Sequence, residues 1–180
     1  ADPRSIIMRR RLRNLLVTLV VVMVLGLLIP ERWQLPVQGA DRRSYDQRSY
    51  WYYPWGKSVT HKGVDIFAKV GTPVNSATGG LVVYTGVMGR GGNVVLVLGP
   101  KWRLHYFAHL KDIHTSTGTW VSEGDAIGTV GDTGNAAGKP AHLHYTIMTL
   151  VPHPWKARQG PHGWRRMWYV DPTPLLNAAT

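Results

Sequence analysis

Residues 141–148 read AHLHYTIM, a mostly apolar run that contains two histidines one residue apart. A run of this length and composition predicts a β-strand over residues 142–148. In a strand the side chains at i and i+2 point to the same face, so we expect His142 and His144 side by side and Leu143 on the other face. Both a solvated surface strand and a metal site fit this pair, because neutral imidazole is a common ligand of zinc.

Four more short apolar runs predict strands over residues 81–85, 93–98, 103–109 and 126–130, and glycine-containing turns separate them. The chain has eight Trp, eight Tyr, 20 Gly and 12 Pro, which is typical of a loop-rich β protein. No stretch of the body has a sustained helical period. We therefore predict a mostly β fold of antiparallel sheets in one domain of roughly 100 residues.

A second candidate site lies upstream in HKGVD, residues 61–65, where His61 and Asp65 are four residues apart. An even offset places both side chains on one face of an extended segment, and Ile66 and Phe67 follow as core-like residues. Aspartate is a natural oxygen ligand of zinc, although a turn or capping residue is its commoner use. The chain contains no cysteine, which excludes disulfides and thiolate metal sites. His61 and Asp65, together with one histidine from 142–144, would supply two nitrogens and one carboxylate. Such a set is typical of catalytic zinc sites, in which the fourth position is open.

A third histidine-bearing segment, RLHYFAHL, covers residues 103–110. Strict alternation predicts that His105, Phe107 and His109 share one face of this strand, opposite Tyr106. Both histidines could therefore reach a common site, and spacing alone does not rank one above the other. His114, His153 and His162 are predicted to be surface residues.

Three motifs in this order, HKGVD, FAHL (107–110) and GDTGNAAGKPAHLHY (131–145), resemble the lysostaphin/LytM-type zinc endopeptidases, metallopeptidase family twenty-three. The resemblance runs from about residue 61 to residue 148, through the family's H-x-x-x-D, Y/F-A/G-H-L and H-x-H patterns. It implies that His61, Asp65 and His144 bind Zn²⁺, and that His109 and His142 are catalytic residues beside the metal.

The resemblance also implies an open groove over the zinc site and hydrolysis of peptide cross-links in peptidoglycan stem peptides. The bond could be a D-amino-acid cross-link or a glycine bridge. Tyr145 is predicted to be a core residue. Lys62, Arg90 and Arg103 are candidate contacts for substrate carboxylates, although a solvated surface is the favoured alternative for all three.

Two other classes of function remain as alternatives. A catalytically weak or inactive relative could bind or regulate the cell wall, but such a protein is expected to have lost ligands that this chain retains. A nucleic-acid binder would use the net charge of +11, yet only WRRMWY, residues 164–169, interleaves basic and aromatic residues. We therefore predict no nucleic-acid partner, and the sequence identifies no protein partner.

The N-terminal region predicts a membrane anchor. Five arginines and one acid occupy the first 13 residues, and residues 15–29 read LLVTLVVVMVLGLLI without a charge. This run is short for a bilayer core of about 30 Å and matches the apolar region of a signal peptide. However, no small-residue cleavage signal follows it closely. We predict an uncleaved, single-pass anchor in a bacterial inner membrane, with the body in the periplasm or cell-wall space.

The expected organisation follows from these assignments. Residues 1–13 form a basic cytoplasmic tail, in which 1–7 are a candidate cloning remnant ahead of Met8. A signal anchor or transmembrane helix covers 14–30, and a linker with a Tyr/Trp-rich entry segment covers 31–55. The zinc metallopeptidase domain covers 56–151, and a C-terminal extension packed on it covers 152–180.

Overall fold

An antiparallel sheet dominates the computed structural model, which describes residues 3–180 except the side chains of Pro3 and Ser5. Within that part of the chain there are two α-helices, α1 (Pro3–Leu28) and α2 (Thr173–Ala178). The nine strands of the same part are β1 (Val64–Phe67), β2 (Pro73–Asn75), β3 (Gly80–Val87), β4 (Asn93–Gly99), β5 (Arg103–Ile113), β6 (Trp120–Val121), β7 (Ala126–Val130), β8 (His142–Thr149) and β9 (Tyr169–Val170). The prediction of a mostly β, antiparallel fold preceded by one apolar helix is confirmed.

The strands follow the order β1-β8-β5-β4-β3-β6 in the sheet. In addition, β2 pairs with β7, β7 also pairs with β5, and β9 pairs with β8. All five predicted strands are present, and β5 continues four residues beyond its predicted end. The sequence did not predict β1, β2, β6 and β9, which have only two to four residues each and therefore little alternation to detect.

Strand β8 separates the core from the face that carries the two histidines. Leu143, Tyr145 and Ile147 have no exposed surface and form part of the core. His142 and His144 lie on the other face and pair in register with Phe67 and Asp65 of β1. Residues directly opposite each other in an antiparallel pair share a face. This register explains why Phe67, predicted as core-like, is instead 47% exposed.

The segment before the domain is more closely packed than a linker. Val37 is buried and forms an isolated bridge with Val74, and Tyr45 is buried in the same core. The backbone of Gln34 also donates to the carbonyl of Ala77 at 3.0 Å. Segment 31–55, predicted as a linker and entry segment, therefore packs into the domain. At the other end of the chain, Leu176 of α2 is fully buried.

Helix α1 differs from the predicted bounds, because it begins at Pro3 and ends at Leu28 instead of covering 14–30. The predicted basic tail 1–13 belongs to this helix from Pro3 onward, and its first two residues lie outside the described residues. Residues Ile6–Leu28 are long and apolar enough to cross a membrane, a property that signal sequences share. Near the end of α1, Trp102 packs against Gly26 and its indole N–H donates to the carbonyl of Met23 at 2.8 Å.

Candidate metal centre and its groove

Three side chains converge beside the β1–β8 pair. His61 lies in the loop before β1, Asp65 lies in β1 and His144 lies in β8. The Nε2 atom of His61 is 3.0 Å from Asp65 Oδ1 and 3.1 Å from His144 Nδ1. His144 Nδ1 is 2.7 Å from the same carboxylate oxygen. These three residues are the set that could hold a metal ion in the described part of the chain.

The hydrogen bonds of the two rings indicate that this set fits a cation. His61 Nδ1 lies 2.9 Å from the carbonyl oxygen of Ser49, which can only accept, so in the neutral ring the proton is on Nδ1. His61 Nε2 therefore directs a lone pair at the carboxylate. His144 Nε2 lies 3.0 Å from the Thr146 hydroxyl, which can accept a hydrogen bond from an N–H at Nε2. The unprotonated Nδ1 of His144 is then the ligand atom. Separations of about 3 Å between ligand atoms suit tetrahedral zinc with bonds of about 2.0–2.1 Å.

The electrostatics of Asp65 and His144 favour the forms of these two groups that bind metals. Burial disfavours the charged form of Asp65, but the close contacts with the imidazoles of His144 and His61 outweigh burial, so the pKa of this carboxyl lies well below its ordinary value. Burial lowers the pKa of His144, although Asp65 opposes the shift. Metal ligands must be anionic carboxylates and neutral imidazoles, and these directions favour both.

Two further histidines flank the metal set. The ring centroid of His109 is 5.0 Å from that of His142 and 5.9 Å from that of His144. His109 Nδ1 donates to the carbonyl of Thr133 at 2.8 Å, and His142 Nδ1 donates to the carbonyl of Pro140 at 2.7 Å. These carbonyls fix the tautomer in both rings and leave Nε2 as the nitrogen available for chemistry. Burial, together with the neighbouring imidazole of His144, lowers the pKa of His109 to about 4.

The prediction that His105 shares a face with His109 is wrong. His105 is fully buried, its Nδ1 lies 2.7 Å from the Tyr145 hydroxyl, and its Nε2 is 3.2 Å from a carboxylate oxygen of Glu31. Arg103, a candidate contact for substrate, instead forms an ion pair with the other oxygen of Glu31. Both residues therefore belong to a buried polar cluster on the far side of the sheet.

A groove of about 920 Å³ surrounds the candidate metal centre. It brings together all five predicted site residues, namely His61, Asp65, His109, His142 and His144. Sequence reasoning missed Trp55, whose ring stacks on His61 at 4.2 Å, and Tyr106, whose ring lies 6.2 Å from that of His144. No spacing pattern in the sequence indicates Trp55. Strict alternation places Tyr106 on the face opposite His109, so Tyr106 would be expected at the site only if β5 departs from alternation at His109. Tyr145 is fully buried, as predicted for a core residue.

Comparison with known proteins gives an independent assignment. Residues 59–157, more than half of the chain, match the model of the family described as Peptidase family M23. Peptidoglycan DD-endopeptidase ShyC of Vibrio cholerae is 34% identical over 93 residues, which cover 52% of this chain and 21% of ShyC. This chain thus spans about a fifth of that relative's length.

Solved structures agree with this match. The catalytic domain of lysostaphin from Staphylococcus simulans superposes with a TM-score of 0.58 and 28% identity, over 71% of this chain and 88% of that domain. A zinc-containing peptidase from Vibrio cholerae has a TM-score of 0.53 and 25% identity, over 65% of this chain and 37% of its own.

Proposed function

Since this chain belongs to peptidase family M23, we propose that it is a membrane-anchored zinc endopeptidase that hydrolyses peptide cross-links of peptidoglycan. The observation that carries the proposal is the convergence of His61, Asp65 and His144 on one point, with His109 and His142 beside them in an open groove. A metal ion and two titratable groups at one scissile bond are the requirements of metal-assisted hydrolysis.

The ligands proposed for zinc are His61 Nε2, Asp65 Oδ1 and His144 Nδ1. Zinc bound there would supply Lewis acidity, which lowers the pKa of water from about 15.7 toward about 7 and polarises a carbonyl oxygen. The proton transfers fall to protein side chains. The two glutamates of the sequence are Glu31 and Glu123. Glu31 is buried in its ion pair with Arg103, and neither glutamate lines the groove.

The two flanking histidines are therefore the proposed catalytic residues. His109 is neutral at pH 7, because its pKa is lowered to about 4, and its Nε2 can accept the proton of the attacking water. His142 Nε2 lies 3.8 Å from Asp65 Oδ2, so this nitrogen faces the candidate metal centre. A protonated His142 can donate a hydrogen bond to the oxyanion that develops on the scissile carbonyl.

Helix α1 supports the proposed location. We propose that Ile6–Leu28 spans the inner membrane, with the arginine-rich end in the cytoplasm and the domain in the periplasm or cell-wall space. This orientation is compatible with the proposed substrate, because the domain would face the side of the membrane on which peptidoglycan lies.

Digestion of purified peptidoglycan by the full-length protein in detergent tests the proposal. Mass spectrometry of the released fragments should detect new amino and carboxyl termini at peptide cross-links. Asp65→Ala protein and chelator-treated protein are the matched controls and should release none. Binding without release by the wild type would instead support the alternative of an inactive, wall-binding relative. Cleavage confined to glycan strands would contradict the proposed peptide chemistry.

A further inference from the structure

The walls of the groove carry an excess of positive charge. Four of the lining residues are cations, namely Lys57, Lys62, Arg90 and Lys139. Asp65 is the acidic residue among the described lining residues, and its carboxylate is already engaged by His61 and His144. Among the described residues, the ion pairs to carboxylates involve Arg43, Arg48, Arg103 and histidines, and none of the four groove cations.

From this charge distribution we propose that the groove selects peptides with a free carboxylate next to the scissile bond, and that Lys62 and Arg90 bind this carboxylate. The inference rests on the proposed function and narrows its substrate class. A polyglycine bridge offers only amide groups at the corresponding positions. A cross-link between peptides that bear free carboxylates offers the complementary charge.

The two cations are held at one end of the groove by backbone contacts. Arg90 donates from Nη1 to the carbonyl of Lys57 at 2.9 Å, and Lys62 donates from Nζ to the carbonyl of Ser58 at 3.2 Å. Both side chains thus meet the turn Gly56–Ser58, which directly follows Trp55. A guanidinium has five N–H donors and an ammonium has three, so each cation retains donors for a ligand.

Lys62 directly follows His61 in the sequence, so its backbone lies next to a residue of the candidate metal centre. A carboxylate bound there would occupy the same groove as the bond being cut. Lys139 also lines the groove and precedes Pro140, whose carbonyl accepts from His142. The uncompensated charges and the walls of the groove raise the local concentration of anions. Hydrogen bonds between charged groups are roughly twice as strong as neutral ones, so a carboxylate is favoured over an amide.

Kinetics with two matched peptides test the inference. Both peptides contain the same cleavable cross-link, and they differ only in whether the adjacent carboxyl group is free or amidated. The wild-type protein should hydrolyse the free-carboxylate peptide with a kcat/KM about tenfold or more above that of the amide. Lys62→Met and Arg90→Gln should each remove most of this preference, mainly through KM on the free-carboxylate peptide, while zinc content stays unchanged and hydrolysis of the amidated peptide falls much less.

Three controls make the outcome interpretable. Lys111→Met removes an exposed cation outside the groove lining and should leave the preference intact. Arg90→Lys retains a charge at this position and should retain part of the preference. Equal hydrolysis of the two peptides by the wild type, or equal loss on both peptides in Lys62→Met and Arg90→Gln, would overturn the inference alone. Hydrolysis of neither peptide by the wild type would overturn the proposed function and this inference with it.

Discussion

His105 and His109 lie four residues apart in β5, yet their side chains occupy opposite faces of the sheet. His109 has φ 63°, in the left-handed region. Between the pairs Asn93–Leu110 and Val95–Phe107, β5 contains one residue more than β4. This β-bulge reverses the alternation and turns His109 into the groove. A non-glycine residue in this conformation costs of order 1–3 kcal/mol and is typical of functional sites.

The bulge places His109 for proton transfer and leaves metal binding to other residues. His109→Ala and His142→Ala should therefore each keep near-full zinc and lose at least about a hundredfold in peptidoglycan hydrolysis. Zinc analysis and the rate of peptide release, measured on the same preparations, check this. His114→Ala, at an exposed histidine, is the control and should behave as wild type. Loss of zinc in His142→Ala would mean that His142 and His144 exchange or share roles.

How much the sequence could predict differs between β5 and β8. Strand β8 is regular, so alternation correctly predicted His142 and His144 on one face and Tyr145 in the core. Alternation failed in β5 because the bulge occurs at a histidine, where no glycine marks a positive φ. The ion pair of Arg103 with Glu31 joins residues 72 positions apart, and such a contact has no local signal in the sequence.

The buried ion pair predicts a large loss of stability when one partner is removed. The side chain of Glu31 is 5% exposed, so Arg103→Met would leave its carboxylate buried without its cation. We expect the free energy of unfolding to fall by about 3–5 kcal/mol, measured by chemical denaturation in detergent. Arg43→Met breaks the exposed pair with Asp41 and should cost far less, because water screens this pair. Equal losses in the two variants would argue against a buried ion pair.

The same pair predicts how this stability difference depends on pH. Burial raises the pKa of Glu31, but the contact with His105 and the charge of Arg103 outweigh it, and the pKa lies below its ordinary value. The ionised form therefore stabilises the fold above the unfolded pKa of about 4.3, and this contribution is lost as the pH falls through the lower folded-state pKa. The deficit of Arg103→Met should shrink on acidification below about pH 4. A deficit that stays constant from pH 7 to pH 3 would contradict this.

Helix α1 predicts integral membrane association. Full-length protein should stay in the membrane fraction through a wash with about 1 M salt, since high salt screens charges and leaves hydrophobic insertion intact. Detergent should release it. A variant with Val20→Arg and Val22→Arg, which places two charges in the apolar run, should no longer be retained. Release of the wild type by salt, or an exported form whose N-terminus lies near Asp41, would count against an anchor.

Zinc content per chain tests the central claim most directly. Metal analysis of purified wild-type protein should give about one zinc per chain, held by His61, Asp65 and His144. Asp65→Ala should lower the occupancy by orders of magnitude, because it removes the anionic ligand, whereas Asp46→Ala at an exposed aspartate should keep full zinc. Full zinc occupancy in Asp65→Ala would contradict the proposed site.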